Sequence, residues 1–418
     1  MKRNKWIVFL ILCIWFGISF VTNILGPIMP DIISTYHLSL TLASFLPFSF
    51  FLAYGIMSVP AGLLVEKIGP KATMLIAFGS TFGGTFLFAL FPVYEIALTS
   101  LFIIGMGMAM LQVIINPLMR VAGGEENFAF NSVLAQLIFG AASFISPFVY
   151  TGLINGFNST DQKTSFLLGI MNSITSESVR WSGLYWIFGF IFLLFFLIII
   201  FLKIPKFELA EGEKTGSFKS YIYLLNNGAW VYFFGIMAYV GTEQGLANWM
   251  SQFLYTYHNV DPVKSGAAIV GLFWGLMSIG CLLGLLILRL IDSRKVLIGA
   301  CVLATVSLLL GLLGPTSVAL IAFPASGFCL SVMFSIVFSL ALNSEKLYHG
   351  SYSGILCSGI FGGALVPFII GVIGDLVNLR VAMFFLLLPL AYLVYIGMTA
   401  NPLINNKTIS LKSLVKRN

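Results

Sequence analysis

The sequence predicts an all-α integral membrane protein, with twelve transmembrane helices in two six-helix bundles. Three observations predict it. About a dozen apolar stretches reach the roughly 20 residues that a helix needs to cross a bilayer. The segments between them sort positive charge. With Met1 in the cytoplasm and the spans alternating, 18 of the 22 Lys and Arg fall on the cytoplasmic side, and only Lys163, Arg180, Lys264 and Arg380 fall outside. One miscounted span would invert every later loop and spoil that sorting, so span count and orientation support each other. Finally, 59% apolar against 9% charged residues leaves too little polar side chain for a water-compatible surface. The expected solvent is the lipid bilayer, the expected location is the cell membrane, and both termini are expected in the cytoplasm.

The first span, 6–29, follows Lys2, Arg3 and Lys5. It is too long for a secretory signal, has no small-residue cleavage site and carries Gly26-Pro27 near its far end, so it reads as a retained helix. Spans follow at 43–65, 72–91, 96–119, 129–154 and 181–203, with a polar extracellular interruption from Asn155 to Arg180. Lys203 to Asn227 is the longest cytoplasmic stretch; it holds Lys206, Glu208, Glu211, Glu213, Lys214 and Lys219 and shows no apolar period. It divides the chain into a bundle over 1–203, a linker over 204–226 and a second bundle over 227–418. The second bundle contributes spans at 227–257, 264–290, 295–313, 316–342, 350–376 and 380–400. Halving of this kind is the organisation of transporters that hold substrate near the midplane between two related bundles.

Other classes are excluded on composition and pattern. The net charge of +7 is spread over short cytoplasmic loops and both tails, which topology explains without nucleic acid. Cys13, Cys281, Cys301, Cys329 and Cys357 all lie inside apolar spans, so they form neither a disulfide framework nor a metal-ligand cluster. His37, His258 and His349 lie in different loops, and no phosphate-binding loop, zinc pattern or paired acid and base occurs. The chain is expected to be no enzyme, to need no cofactor or metal, and to act as a monomer on a small-molecule substrate.

Between spans two and three the chain reads Gly62-Leu63-Leu64-Val65-Glu66-Lys67-Ile68-Gly69-Pro70-Lys71. This resembles the signature loop of the major facilitator superfamily, with Glu in place of the commoner Asp and Pro70 in place of a base. The resemblance implies the major facilitator fold and a gating role for Gly62, Glu66, Lys67, Gly69 and Lys71, with Gly62 allowing close helix approach and Glu66 pairing with helix ends or basic residues. A degenerate echo follows span eight, at Gly284 with Arg289, Asp292, Ser293, Arg294 and Lys295.

Further stretches resemble the fucose and glucose/galactose branch of that superfamily. They are Leu111-Gln112-Val113-Ile114-Ile115-Asn116-Pro117, Leu134-Ala135-Gln136, Tyr239-Val240-Gly241-Thr242-Glu243 and Gly362-Gly363-Ala364-Leu365-Val366-Pro367. The chain departs from the branch at the positions where proton-coupled carriers hold acids, which are Asn23 and Gln112 here, and where the branch holds asparagines, which are Val133, Phe139 and Leu330. A buried sugar hydroxyl left without a hydrogen bond costs about 1–3 kcal/mol. The resemblance therefore carries transport and the general site location, but not the identity of the sugar.

Polar groups inside spans are costly unless they face a cavity or another helix. In span seven Gln244, Asn248 and Gln252 recur every four residues, with Trp249 beside them as a flat apolar surface. In the first half Asn23, Gln112, Asn116 and Gln136 are the matching candidates, and Trp274 in span eight is a further pathway aromatic. Glu243 is the single acid placed well inside the membrane, where a carboxylate either binds a proton or needs a cation beside it. It is the candidate for coupling to H+ or Na+; facilitated transport without coupling is the alternative. The expected function is secondary or facilitative transport of a monosaccharide or related polyol by alternating access. The alternative on the same fold is export of small amphipathic compounds.

Overall fold

The structure, a computed structural model, describes residues 5–124, 128–158, 169, 171, 173–202, 204, 218–345 and 347–403. Among the described residues all regular structure is helical. Eleven segments are long and apolar enough to cross a membrane. A twelfth, α9 below, runs the full length of a span, but its Thr-Glu-Gln, Asn and Ser-Gln positions make it too polar to pass by composition. Its centre is buried among the other helices, where polar groups find partners that lipid does not offer.

The first span consists of α1 (Lys5–Thr22) and α2 (Leu25–Tyr36), broken at Asn23 and Ile24. Pro27 is the cause: it has no N–H to give to the Asn23 carbonyl, and its ring crowds that carbonyl. Pro30 likewise withholds an N–H, from the Gly26 carbonyl, without breaking α2, which continues to Tyr36, seven residues beyond the bound expected from apolarity. Spans two to six are α3 (Leu40–Ile68), α4 (Pro70–Leu90), α5 (Tyr94–Gly123), α6 (Phe128–Asn158) and α7 (Gly183–Phe201), the last preceded by a 3-10 turn over Glu177–Ser182. Gly69 joins α3 to α4 at φ +84, a conformation that disfavours any side chain, and Pro70 opens α4 where a missing N–H costs nothing.

The joint between the halves contains a short helix, α8 (Phe218–Asn226), where the sequence showed no apolar period. The reason is its length: among its described side chains two and a half turns bury Ser220 and Leu224 and leave Ile222, Tyr223 and Leu225 exposed. Ser220 Oγ shares a hydrogen bond of 3.0 Å with Ser351 Oγ.

The second half contains α9 (Ala229–His258), α10 (Ala267–Leu290), α11 (Ser293–Leu313), a tenth span of α12 (Thr316–Leu330) and α13 (Met333–Leu342), an eleventh of α14 (His349–Ser358) and α15 (Gly362–Leu376), and a twelfth of α16 (Leu379–Met383) and α17 (Leu387–Thr399). The echo of the signature loop is an ordered cap. Asp292 accepts from Arg294 N at 2.9 Å and pairs with the Arg294 guanidinium, which also reaches the Ala400 carbonyl. The Arg294 side chain, through that hydrogen bond, holds the Asp292 carboxyl below its ordinary range.

The two groups of six spans meet tightly near one face, the face of residues 37–39, 259–261 and 377–378. A Cβ at Gly26 in α2 would collide with the Ala247 carbonyl of α9. Gly371 in α15 packs on the Leu40 carbonyl and Ser44 of α3, and Gly271 in α10 on the Phe144 carbonyl of α6. Thr151 donates to the Val263 carbonyl in the same zone. This face is sealed.

Candidate substrate cavity

Below the seal, the halves diverge around a cavity of about 430 Å³. Its lining runs from Asn23, at the break in span one, to Leu288, near the far end of α10. The cavity therefore extends from mid-span away from the sealed face. Both halves line it: Trp15, Asn23, Tyr54, Gln112 and Gln136 from the first, and Tyr239, Glu243, Gln244, Trp274 and Ser331 from the second.

A chain of polar groups crosses from one half to the other at the level of Asn23. Ser19 donates to the Phe139 carbonyl and shares a bond with Ser143 Oγ, to which Asn23 Nδ2 donates at 2.8 Å. On the far side, Gln244 Nε2 lies 3.4 Å from Asn23 Oδ1 and 3.2 Å from Glu243 Oε1. Tyr239 donates to Glu243 Oε2 at 2.5 Å, one helical turn away. Among the described residues the carboxylate thus has neutral donors only, a phenol and an amide. Breaking the first span at Asn23 is what lets its side chain bridge to α6 and α9.

The predicted site residues separate by depth. Asn23, Gln112, Gln136, Glu243, Gln244 and Trp274 come together around the cavity. Asn248, Trp249 and Gln252 do not line it: they continue the same helix into the seal. Asn248 donates to the Gln244 carbonyl at 2.8 Å. Trp249 is fully buried and donates to the Pro367 carbonyl at 3.0 Å, so it packs α9 against α15 and presents no open ring. Gln252 donates to Thr256 Oγ1 at 3.2 Å. The Asn116 side chain lies outside the described residues, as does that of Glu66. In the signature loop Gly62 is buried, Lys67 is exposed, Gly69 makes the turn, and Lys71 donates to the Ile200 carbonyl at 2.8 Å, within its own half.

Tyr54, Ser19 and Ser143 belong to the site without having been singled out by sequence. The serines carry no signal, because a lone hydroxyl in a span usually bonds its own helix. Of the apolar replacements, Phe139 shapes one wall and meets Trp15 edge to face at 5.8 Å.

A largely apolar cavity at mid-membrane that carries a cluster of amides and one acid, shared by two groups of six spans and closed over at one face, is the architecture of a membrane transporter. The family model of the Major Facilitator Superfamily matches residues 9–359, and the chain belongs to that superfamily. It is 28% identical over 398 residues to a glucose/galactose transporter of Brucella abortus, covering 92% of each chain. It is 25% identical over 404 residues to the L-fucose-proton symporter of Escherichia coli K12, covering 90% of this chain and 88% of that one. The crystal structure of the transporter FucP in its outward conformation superposes with a TM-score of 0.66 at 23% identity, over 94% of this chain and 98% of that one.

Proposed function

We propose that this protein carries a monosaccharide or a closely related polyol across the cell membrane, in symport with a proton held at Glu243. The two bundles, 1–203 and 227–418, rock about the cavity while 204–226 joins them. Both termini lie in the cytoplasm, which makes the sealed face extracellular and the present conformation inward-facing. The observation that carries this reading is the convergence of Asn23, Gln112, Gln136 and Gln244 with Glu243 on one cavity in a chain related to sugar carriers. Amides suit sugar hydroxyls because each both donates and accepts. Trp15 offers apolar surface to the C–H face of a pyranose ring, while Trp274, fully buried, backs the same wall.

Glu243 supports the coupling. It is the one acid among the described lining residues, and Tyr239 and Gln244 both donate to its carboxylate; a Gln244 amide turned over would present its oxygen to the protonated acid. Counterflow in proteoliposomes tests the substrate class, using labelled glucose, galactose and fucose with no ion gradient. The expected result is transient accumulation of at least one sugar; a flat trace for all three from folded protein would reject a sugar substrate.

A further inference from the structure

Asp375 ends the eleventh span on the sealed face, away from the cavity lining. Its two carboxylate oxygens accept the main-chain N–H groups of Leu40 and Thr41, each at 2.8 Å. Those residues open α3, behind the N-cap Ser39, whose own hydroxyl accepts from Leu42 N at 3.2 Å. The first N–H groups of a helix have no carbonyl of their own helix to meet. Here one is met by the local cap, and two by an acid 334 and 335 residues along the chain, from the opposite group of six spans. The carboxylate also sits at the positive end of the α3 dipole. One turn earlier, Gly371 lets the two backbones approach, since a Cβ there would press on the Leu40 carbonyl and Ser44.

Every partner in this contact lies on one of the two bodies that must separate when the sealed face opens, so the contact exists in one half of the cycle only. We propose that Asp375 is a positioning residue for transport: it caps the other bundle's helix in trans and so sets how much of the protein rests with this face shut. The proposal rests on the alternating-access reading and is independent of which solute is carried.

The test uses the full chain with its five cysteines replaced and Ser44→Cys as reporter. Ser44 is fully buried beside Gly371 and becomes reachable only when the seal parts. A membrane-impermeant maleimide is applied to right-side-out and to inverted vesicles. Asp375→Ala is expected to raise the labelling rate about threefold to tenfold, within the range that loss of a helix cap produces. The rise is expected from the Asp375 side only. Asp375→Glu, which keeps the carboxylate, is expected to return most of the way to the parent rate. Asp375 is exposed, so the variants are expected to fold. Labelling of Asp375→Ala at the parent rate would overturn the proposal, and so would an equal rise from both sides or no rescue by Asp375→Glu. The readout needs no substrate, so failure of the sugar reading leaves this result interpretable, and the reverse holds too.

Discussion

Replacing Glu243 by Gln is expected to separate coupling from translocation. The amide keeps the shape of the side chain and can still accept the Tyr239 hydroxyl, now 2.5 Å from the carboxylate, but it cannot take up a proton. With Glu243 as the proton carrier, one carboxyl in the described lining predicts one proton per cycle. For a neutral sugar that cycle moves one charge, worth about 2.3 kcal/mol per 100 mV. At about 1.4 kcal/mol per tenfold ratio, a 100 mV potential alone sustains an accumulation of roughly 50-fold. The assay is uptake of labelled sugar into proteoliposomes under an imposed proton gradient and potential, beside exchange with no gradient. The wild type is expected to concentrate the sugar several tens of fold. Glu243→Gln is expected to reach a ratio of about one while its exchange rate stays within about threefold. Accumulation by the variant that matches the wild type would refute the role assigned to Glu243.

Trp249→Phe removes the 3.0 Å bond to the Pro367 carbonyl and leaves a void in the seal. It is expected to cost about 1–3 kcal/mol of stability, read as a lower melting temperature in detergent, with the half-saturation concentration unchanged. Lys67→Ala alters an exposed charge in the last turn of α3, in the loop that resembles the superfamily signature. Its transport rate is expected to fall about threefold while half-saturation moves less than twofold, a split seen by full concentration series of counterflow, because a gating charge acts on interconversion between states.

The architecture was legible because lipid admits so few solutions: twelve crossings and their charge sorting can be read without any contact being known. The seventh span, read at 227–257 despite the polar residues at its centre, shows the limit. The four-residue spacing of Gln244, Asn248 and Gln252 correctly implies one helix face, but spacing carries no depth, and the face passes from the cavity into the seal within two turns. Trp249 looked like a sugar platform, yet its indole N–H is committed to a carbonyl 118 residues away. Asp375 was passed over for the same reason. In sequence it is an acid at a solvent-facing helix end, and only the packing of the eleventh span against the second brings the α3 amides to it. The bridge from Ser19 through Asn23 to Gln244 likewise depends on the break that Pro27 makes, a kink visible in sequence whose beneficiary is not.

If substrate binds in the cavity shared by the halves and not in the seal, Gln244→Ala and Gln252→Ala, the same substitution two turns apart on one helix, should differ sharply in sugar counterflow. Gln244 lines the cavity and touches Asn23 and Glu243; Gln252 lies in the seal beside Thr256. Loss of a buried hydrogen-bonding partner at about 1–2 kcal/mol predicts a half-saturation concentration raised roughly fivefold to thirtyfold for Gln244→Ala. Gln252→Ala is expected to stay within about twofold of wild type, since it makes no contact with substrate. A large rise for Gln252→Ala with Gln244→Ala unchanged would place the substrate within the sealed region and rule out the cavity as its site.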